Sequence, residues 1–147
     1  MINQFLAPAK NSPSANLALL VLRLWIGVQM MVVHGVDKLM NFSSEAADFP
    51  DPIGLGRTAS LALVIFAEVL ASALLVVGLF TRFAALVLIT DMTVAFICIH
   101  KSALSGTNNG ELAFLYLLCY VVLLLAGPGR VSADKIFFGK GTGTPVR

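Results

Sequence analysis

An all-α membrane protein, built as a four-transmembrane-helix antiparallel bundle, is the fold class that this sequence predicts. Three observations predict it. Of the 147 residues, 58% are hydrophobic and only 12% charged, whereas soluble domains run at about 45–50% and 25%. The apolar residues gather into four runs, each near the roughly 20 residues that a spanning helix needs. No run shows period-two alternation, and an open sheet could not satisfy its backbone in lipid. So apolar a chain cannot stay solvated as a coil either. Ten Lys and Arg against eight Asp and Glu leave a net charge of +2. That bias is too mild for nucleic-acid binding, and no basic stripe with interleaved aromatics accompanies it.

The runs are 17–36, 59–80, 83–99 and 112–126. Residues 1–16 are expected as a cytoplasmic N-terminal tail, 17–136 as the four-helix transmembrane domain and 137–147 as a disordered cytoplasmic tail rich in Gly, Thr and Pro. The first run is about twice the length of a signal-peptide core and has no small-residue cleavage site after it, so it reads as a retained span. The segment 37–58, with Pro50, Pro52, Gly54 and Gly56, is a surface loop. Thr81-Arg82 allows only a tight turn, which makes the second and third spans antiparallel neighbours. The third and fourth runs reach spanning length if their ends extend into His100-Lys101 and Asn109-Gly110-Glu111. In this topology Lys10, Arg82, Arg130, Lys135, Lys140 and Arg147 fall on one side, and Lys38, Arg57 and Lys101 on the other. The positive-inside rule then puts both termini in the cytoplasm.

Four ionisable residues stand inside or at the edge of apolar runs: Arg23, His34, Glu68 and Asp91. A charge at mid-bilayer costs about 2.5–3.5 kcal/mol on insertion scales, so such residues face a bundle interior and take partners. Counted from the outer ends at about 1.5 Å per residue, Glu68 and Asp91 lie about 13 Å deep and Arg23 about 20 Å. A buried cluster of Arg23 with one or both carboxylates is therefore sterically reasonable. Arg23, Gly27, His34 and Lys38 are 4, 7 and 4 residues apart and share one helix stripe, which Gly27 opens to a close neighbour. At its outer rim that stripe would meet His100, Asn109 and Glu111, giving a polar pocket open to the outside. The bland alternative is that the buried charges only fix helix register. Tyr116 and Tyr120, four residues apart, read first as packing residues with hydrogen-bonded hydroxyls. Trp25 reads as packing or lipid-facing. Cys98 and Cys119 form no C-x-x-C pair and read as small buried hydrophobes.

Taken in order, Arg23-Leu-Trp-Ile-Gly27, His34-Gly-Val-Asp-Lys38, Glu68, Gly78-Leu-Phe-Thr-Arg82, His100, Asn109-Gly-Glu111 and Gly127-Pro-Gly-Arg-Val-Ser-Ala-Asp134 resemble the DoxX family of small bacterial four-helix membrane proteins. The resemblance runs from Leu19 to Asp134. It implies a bacterial inner-membrane protein, and it connects the chain to subunits of quinone-linked thiosulfate oxidation and of redox stress. Carried over by position, it selects Arg23, His34, Lys38, Glu68, Arg82, Asn109 and Glu111. Asp91 is no part of that pattern and rests on burial alone.

Two functional readings follow. In the first, the pocket binds a quinone or similar carbonyl compound, with His34, Lys38, Glu68, His100 and Glu111 as the catalytic candidates and Arg23, Asn109 and Tyr116 as the ligand-binding ones. No flavin or nicotinamide fingerprint is present, because Gly127-Pro-Gly129 lacks a strand-to-helix context. Electrons must then come from a redox partner protein. His34 and His100 both lie at the rim and cannot bracket a mid-membrane haem, and no metal-ligand set is predicted. In the second reading, Arg23, Glu68 and Asp91 form the midplane site of a small proton-coupled permease that needs a homo-oligomer. A non-catalytic assembly factor is the third, bland, possibility.

Overall fold

The computed structural model describes residues 12–139. The apolar runs are helices: α1 Pro13–Met40, α3 Arg57–Val77, α4 Thr81–Ile99 and α5 Glu111–Ala126, with one-turn α2 Phe42–Glu45 and a short α6 Ala133–Phe138. Among the described residues there are no strands. Helices α1, α3 and α4 are long and apolar enough to cross a membrane, and α5 is a shorter apolar helix of 16 residues.

Each boundary has a local cause. Ser12 accepts a hydrogen bond from the Ala15 amide at 3.2 Å and Pro13 follows at the first helical position, so α1 starts four residues before the expected 17. Helix α3 stops where Gly78 adopts φ +74°, a left-handed C-cap suited to glycine. Phe80, also left-handed at φ +48°, redirects the chain into α4. Ser132 caps α6 by accepting from the Lys135 amide. Phe137 and Phe138, expected in the C-terminal tail, instead end α6. The remaining tail positions, 1–11 and 140–147, lie outside the described residues.

The core is aliphatic and small-residue rich. Ala84 and Ala85 on α4 are fully buried and admit α5 closely, so that Leu88, Tyr120 and Leu123 close the seam between them. Gly27 does the same for α1 and α3: a Cβ there would lie 2.7 Å from Val76 Cγ2. The outer surface is apolar as well, with Trp25 72% and Leu125 73% exposed. Such a surface suits lipid, not water.

Three of the helices contain a wide π-turn: Met30–Gly35 in α1, Phe66–Ala71 in α3 and Ala95–Ile99 in α4. The Val36 amide, for example, reaches back five residues to the Met31 carbonyl. Each π-turn inserts an extra residue and rotates the helix beyond it. The π-turns of α1 and α3 pack on each other through Gly35, where a Cβ would stand 2.9 Å from the Glu68 carbonyl carbon. That contact brings the polar residues of α1 against α3.

Candidate functional site

Two polar centres occupy opposite ends of the helices. The first, at the end holding the 78–80 turn, is built by the backbone. Arg23 is 2% exposed and donates from its two terminal nitrogens to the carbonyls of Pro128 at 2.5 Å and Val131 at 2.7 Å. Asp134 is equally buried, and its two carboxylate oxygens accept from the Phe80 and Thr81 amides at 2.7 and 2.9 Å. Its own amide donates to the Gly78 carbonyl, and the Asn16 side chain accepts from the Arg130 amide. The segment 127–134 thereby clasps α1, α3 and α4.

This corrects the suggested cluster of Arg23 with Glu68 and Asp91. Both Arg23 and Glu68 point inward, but the guanidinium turns away from mid-span toward the 127–134 carbonyls. Depth counting placed Arg23 nearer that end, and a long side chain takes the nearest fixed acceptors. Arg23 therefore does not line the predicted pocket.

The second centre is the pocket. A cavity of about 720 Å³ runs among α1, α3, α4 and α5 toward the end holding the 46–56 loop. His34, Lys38, Glu68, His100, Asn109 and Tyr116, six of the eight predicted site residues, line it. Met30, Val87 and Leu112 contribute apolar wall, and Phe49, Pro52 and Ile53 form part of the rim. At its centre Lys38 Nζ donates to both carboxylate oxygens of Glu68, at 3.0 and 2.8 Å. Glu68 is nearly sealed from solvent, its side chain 6% exposed against 21% for Lys38. Lys38 thus descends from the rim to neutralise a charge that α3 holds at mid-span.

The aromatic wall is ordered around Tyr116. Its ring meets His34 edge-on at 6.0 Å and stacks on Tyr120 at 6.0 Å. Neither tyrosine hydroxyl has a hydrogen-bond partner among the described residues, contrary to the expectation of bonded hydroxyls. His100 packs closely on Gly110, where a Cβ would come within 2.6 Å of the His100 Cβ. Asn109 Oδ1 accepts from the Glu111 amide at 2.9 Å and begins α5.

Two placements differ from the sequence reading. Glu111 is exposed on the first turn of α5 and is not part of the cavity wall. There its charge meets the positive end of the helix dipole instead. Asp91, by contrast, belongs to the wall, and its Oδ2 is buried without a hydrogen-bond partner among the described residues. It lies within electrostatic reach of Glu68 and Lys38. Its mid-run position was the signal for it, although the family pattern passed over it.

The 46–56 loop has its own organiser. Asp51 accepts from the Leu55 amide at 3.0 Å, the Gly56 amide at 2.8 Å and the Ser60 hydroxyl at 2.7 Å. These bonds, the Ser60 hydroxyl foremost, hold its carboxyl below the usual range. Arg57 bonds the Ala47 carbonyl and closes the other side of the loop.

A largely apolar helical chain with a mostly apolar cavity, into which a few polar groups project, defines a multi-pass membrane protein. The family model DoxX matches residues 18–101. A Haemophilus influenzae protein described as uncharacterized is 31% identical over 116 residues, covering 76% of this chain and 84% of its own length. No solved structure matches the chain. The chain belongs to the DoxX family.

Proposed function

We propose that this protein is a quinone-binding, redox-associated subunit of the bacterial inner membrane. Residues 17–136 form an antiparallel bundle of four spanning helices, with both termini cytoplasmic and the 46–56 loop at the periplasmic face. One observation carries the reading: a mostly apolar cavity of about 720 Å³ into which a few polar groups converge from four helices and the 100–110 connection. That size and lining suit a flat organic ligand.

The residues also fit the chemistry. A bound quinone supplies a couple of two electrons and two protons, and its carbonyl oxygens accept hydrogen bonds. Lys38 Nζ, the ring N–H groups of His34 and His100, and the Tyr116 hydroxyl are donors set around one space. Met30 and Leu112 offer apolar faces to the ring. Glu68 and Asp91 can each hold a proton at a carboxylate oxygen at the closed end. Asp91 Oδ2 and the Tyr116 hydroxyl, both without partners, are the groups that a ligand would satisfy. Electrons come from a partner protein. The permease reading loses its anion site, because Arg23 is engaged by Pro128 and Val131.

Titration of the nanodisc-embedded protein with a short-chain ubiquinone, followed by calorimetry, tests this. We expect saturable one-to-one binding, weakened about tenfold by His34→Ala, as loss of one hydrogen bond of about 1.4 kcal/mol would give. Absence of saturable binding, for the chain alone and with its co-purified proteins, would overturn the proposal.

A further inference from the structure

We propose that α1 carries a self-association face, centred on Trp25 and Gln29, whose occupant is a second copy of this chain. Helix α1 has two sides. Arg23, Ile26, Gly27 and Met30 are buried against the other helices, while Val21, Trp25, Val28, Gln29 and Val32 are exposed. The cavity lies on the buried side, so this face is independent of the quinone reading.

Two polar groups on the exposed side are misplaced for a lipid contact. Gln29 lies about 4 Å, and Trp25 about 2 Å, from the midpoint of the apolar run 17–36. The hydrocarbon half-thickness is about 15 Å, so neither side chain can snorkel to the headgroups. Neither the Gln29 amide nor the Trp25 indole N–H has a hydrogen bond among the described residues. An acyl chain offers nothing to either, and an unmet amide in hydrocarbon is costly.

A second copy meets the need on its own. A primary amide is donor and acceptor at once, so two Gln29 side chains facing each other across a twofold axis satisfy both functions. The indole N–H of Trp25, one turn away, adds a donor toward the opposite amide oxygen. The shape agrees. Val21, Leu24, Trp25, Val28 and Gln29 enclose a shallow hollow on this face. Polar side chains of this kind join helices within membranes.

The test is a cysteine scan in native membranes, in a chain with Cys98→Ser and Cys119→Ser. Single cysteines are placed from Val21 to Val33 and at Leu86, which is 50% exposed on α4. Mild oxidation should give a disulfide-linked dimer with maxima at 21, 25 and 28, which line the hollow, and none from Leu86→Cys. Adding Gln29→Leu, a change at an exposed site, should cut the strongest cross-link at least fivefold. Native mass spectrometry of the unmodified protein should give twice the chain mass. A flat cross-linking profile, or a monomer unaffected by Gln29→Leu, would overturn the proposal and leave the face to lipid. Cross-links to a different protein would overturn it in favour of a foreign partner.

Discussion

Lys38 and Glu68 carry most of the electrostatic risk in the molecule. Glu68 is buried and its two oxygens share one ammonium, so the pair is stable only while both members are present. Lys38→Met should destabilise by about 3 kcal/mol, the low end for breaking a buried pair because the ammonium is partly exposed. The double change Lys38→Met with Glu68→Leu should recover most of that loss. Unfolding titrations in mixed detergent give the double-mutant cycle; an additive result would mean that the pair contributes no coupling. The sequence singled out both residues by position, since an acid at mid-run and a lysine at the rim of a neighbouring run are each unusual. It could not pair them. Arg23 was the more obvious partner, and its true acceptors are backbone carbonyls, which carry no signature in a sequence.

Elements meet through glycines and one aspartate. Gly78 is needed twice: for its φ of +74° and because a Cβ there would come within 2.8 Å of the Arg23 guanidinium. Gly78→Ala should cost about 1–2 kcal/mol for the left-handed backbone alone, with a further loss from the clash. A midpoint shift smaller than that in the same titration would show that the clasp yields at little cost. The 46–56 loop is held separately by Asp51. Asp51→Ala should raise hydrogen exchange at the Leu55 and Gly56 amides while the interior of α3 stays protected. The pH dependence has a definite sign. The folded carboxyl titrates below its unfolded value, near 3.9, so the loop bonds are complete above that value and are lost only as pH falls through the lower, folded one. Loop exchange that changed between pH 5 and 7 would contradict this. The helices themselves were legible from run length, although the run 59–80 extended past the Gly78 cap where α3 ends. The three π-turns were not, because the runs keep an unbroken apolar texture through them and the extra residue is accommodated only by packing, as at Gly35 against Glu68.

On the scale of the whole molecule, one helix serves two unrelated tasks. Arg23 near the start of α1 holds the 127–134 clasp, while His34 and Lys38 at its far end face the cavity. A common stripe on one helix had suggested a single continuous polar interior. Between the two ends, however, Gly27 packs tightly against Ser72 and Val76, and Leu75 is fully buried. That packed layer separates the centres physically, so their energetics should separate too. Arg23→Leu leaves two carbonyls without their donor, at about 1–3 kcal/mol each if they remain buried, and should lower stability by roughly 2–6 kcal/mol. Quinone affinity of the fraction that folds should change less than twofold. Asp91→Asn keeps the size of a side chain that makes no hydrogen bond among the described residues, so it should leave stability nearly unchanged and alter affinity instead. Measuring unfolding midpoint and ligand affinity on both variants gives a two-by-two comparison. If Arg23→Leu weakened binding as much as Asp91→Asn did, the two centres would be one coupled site, and the layer at Gly27 and Leu75 would be transmitting strain instead of isolating it.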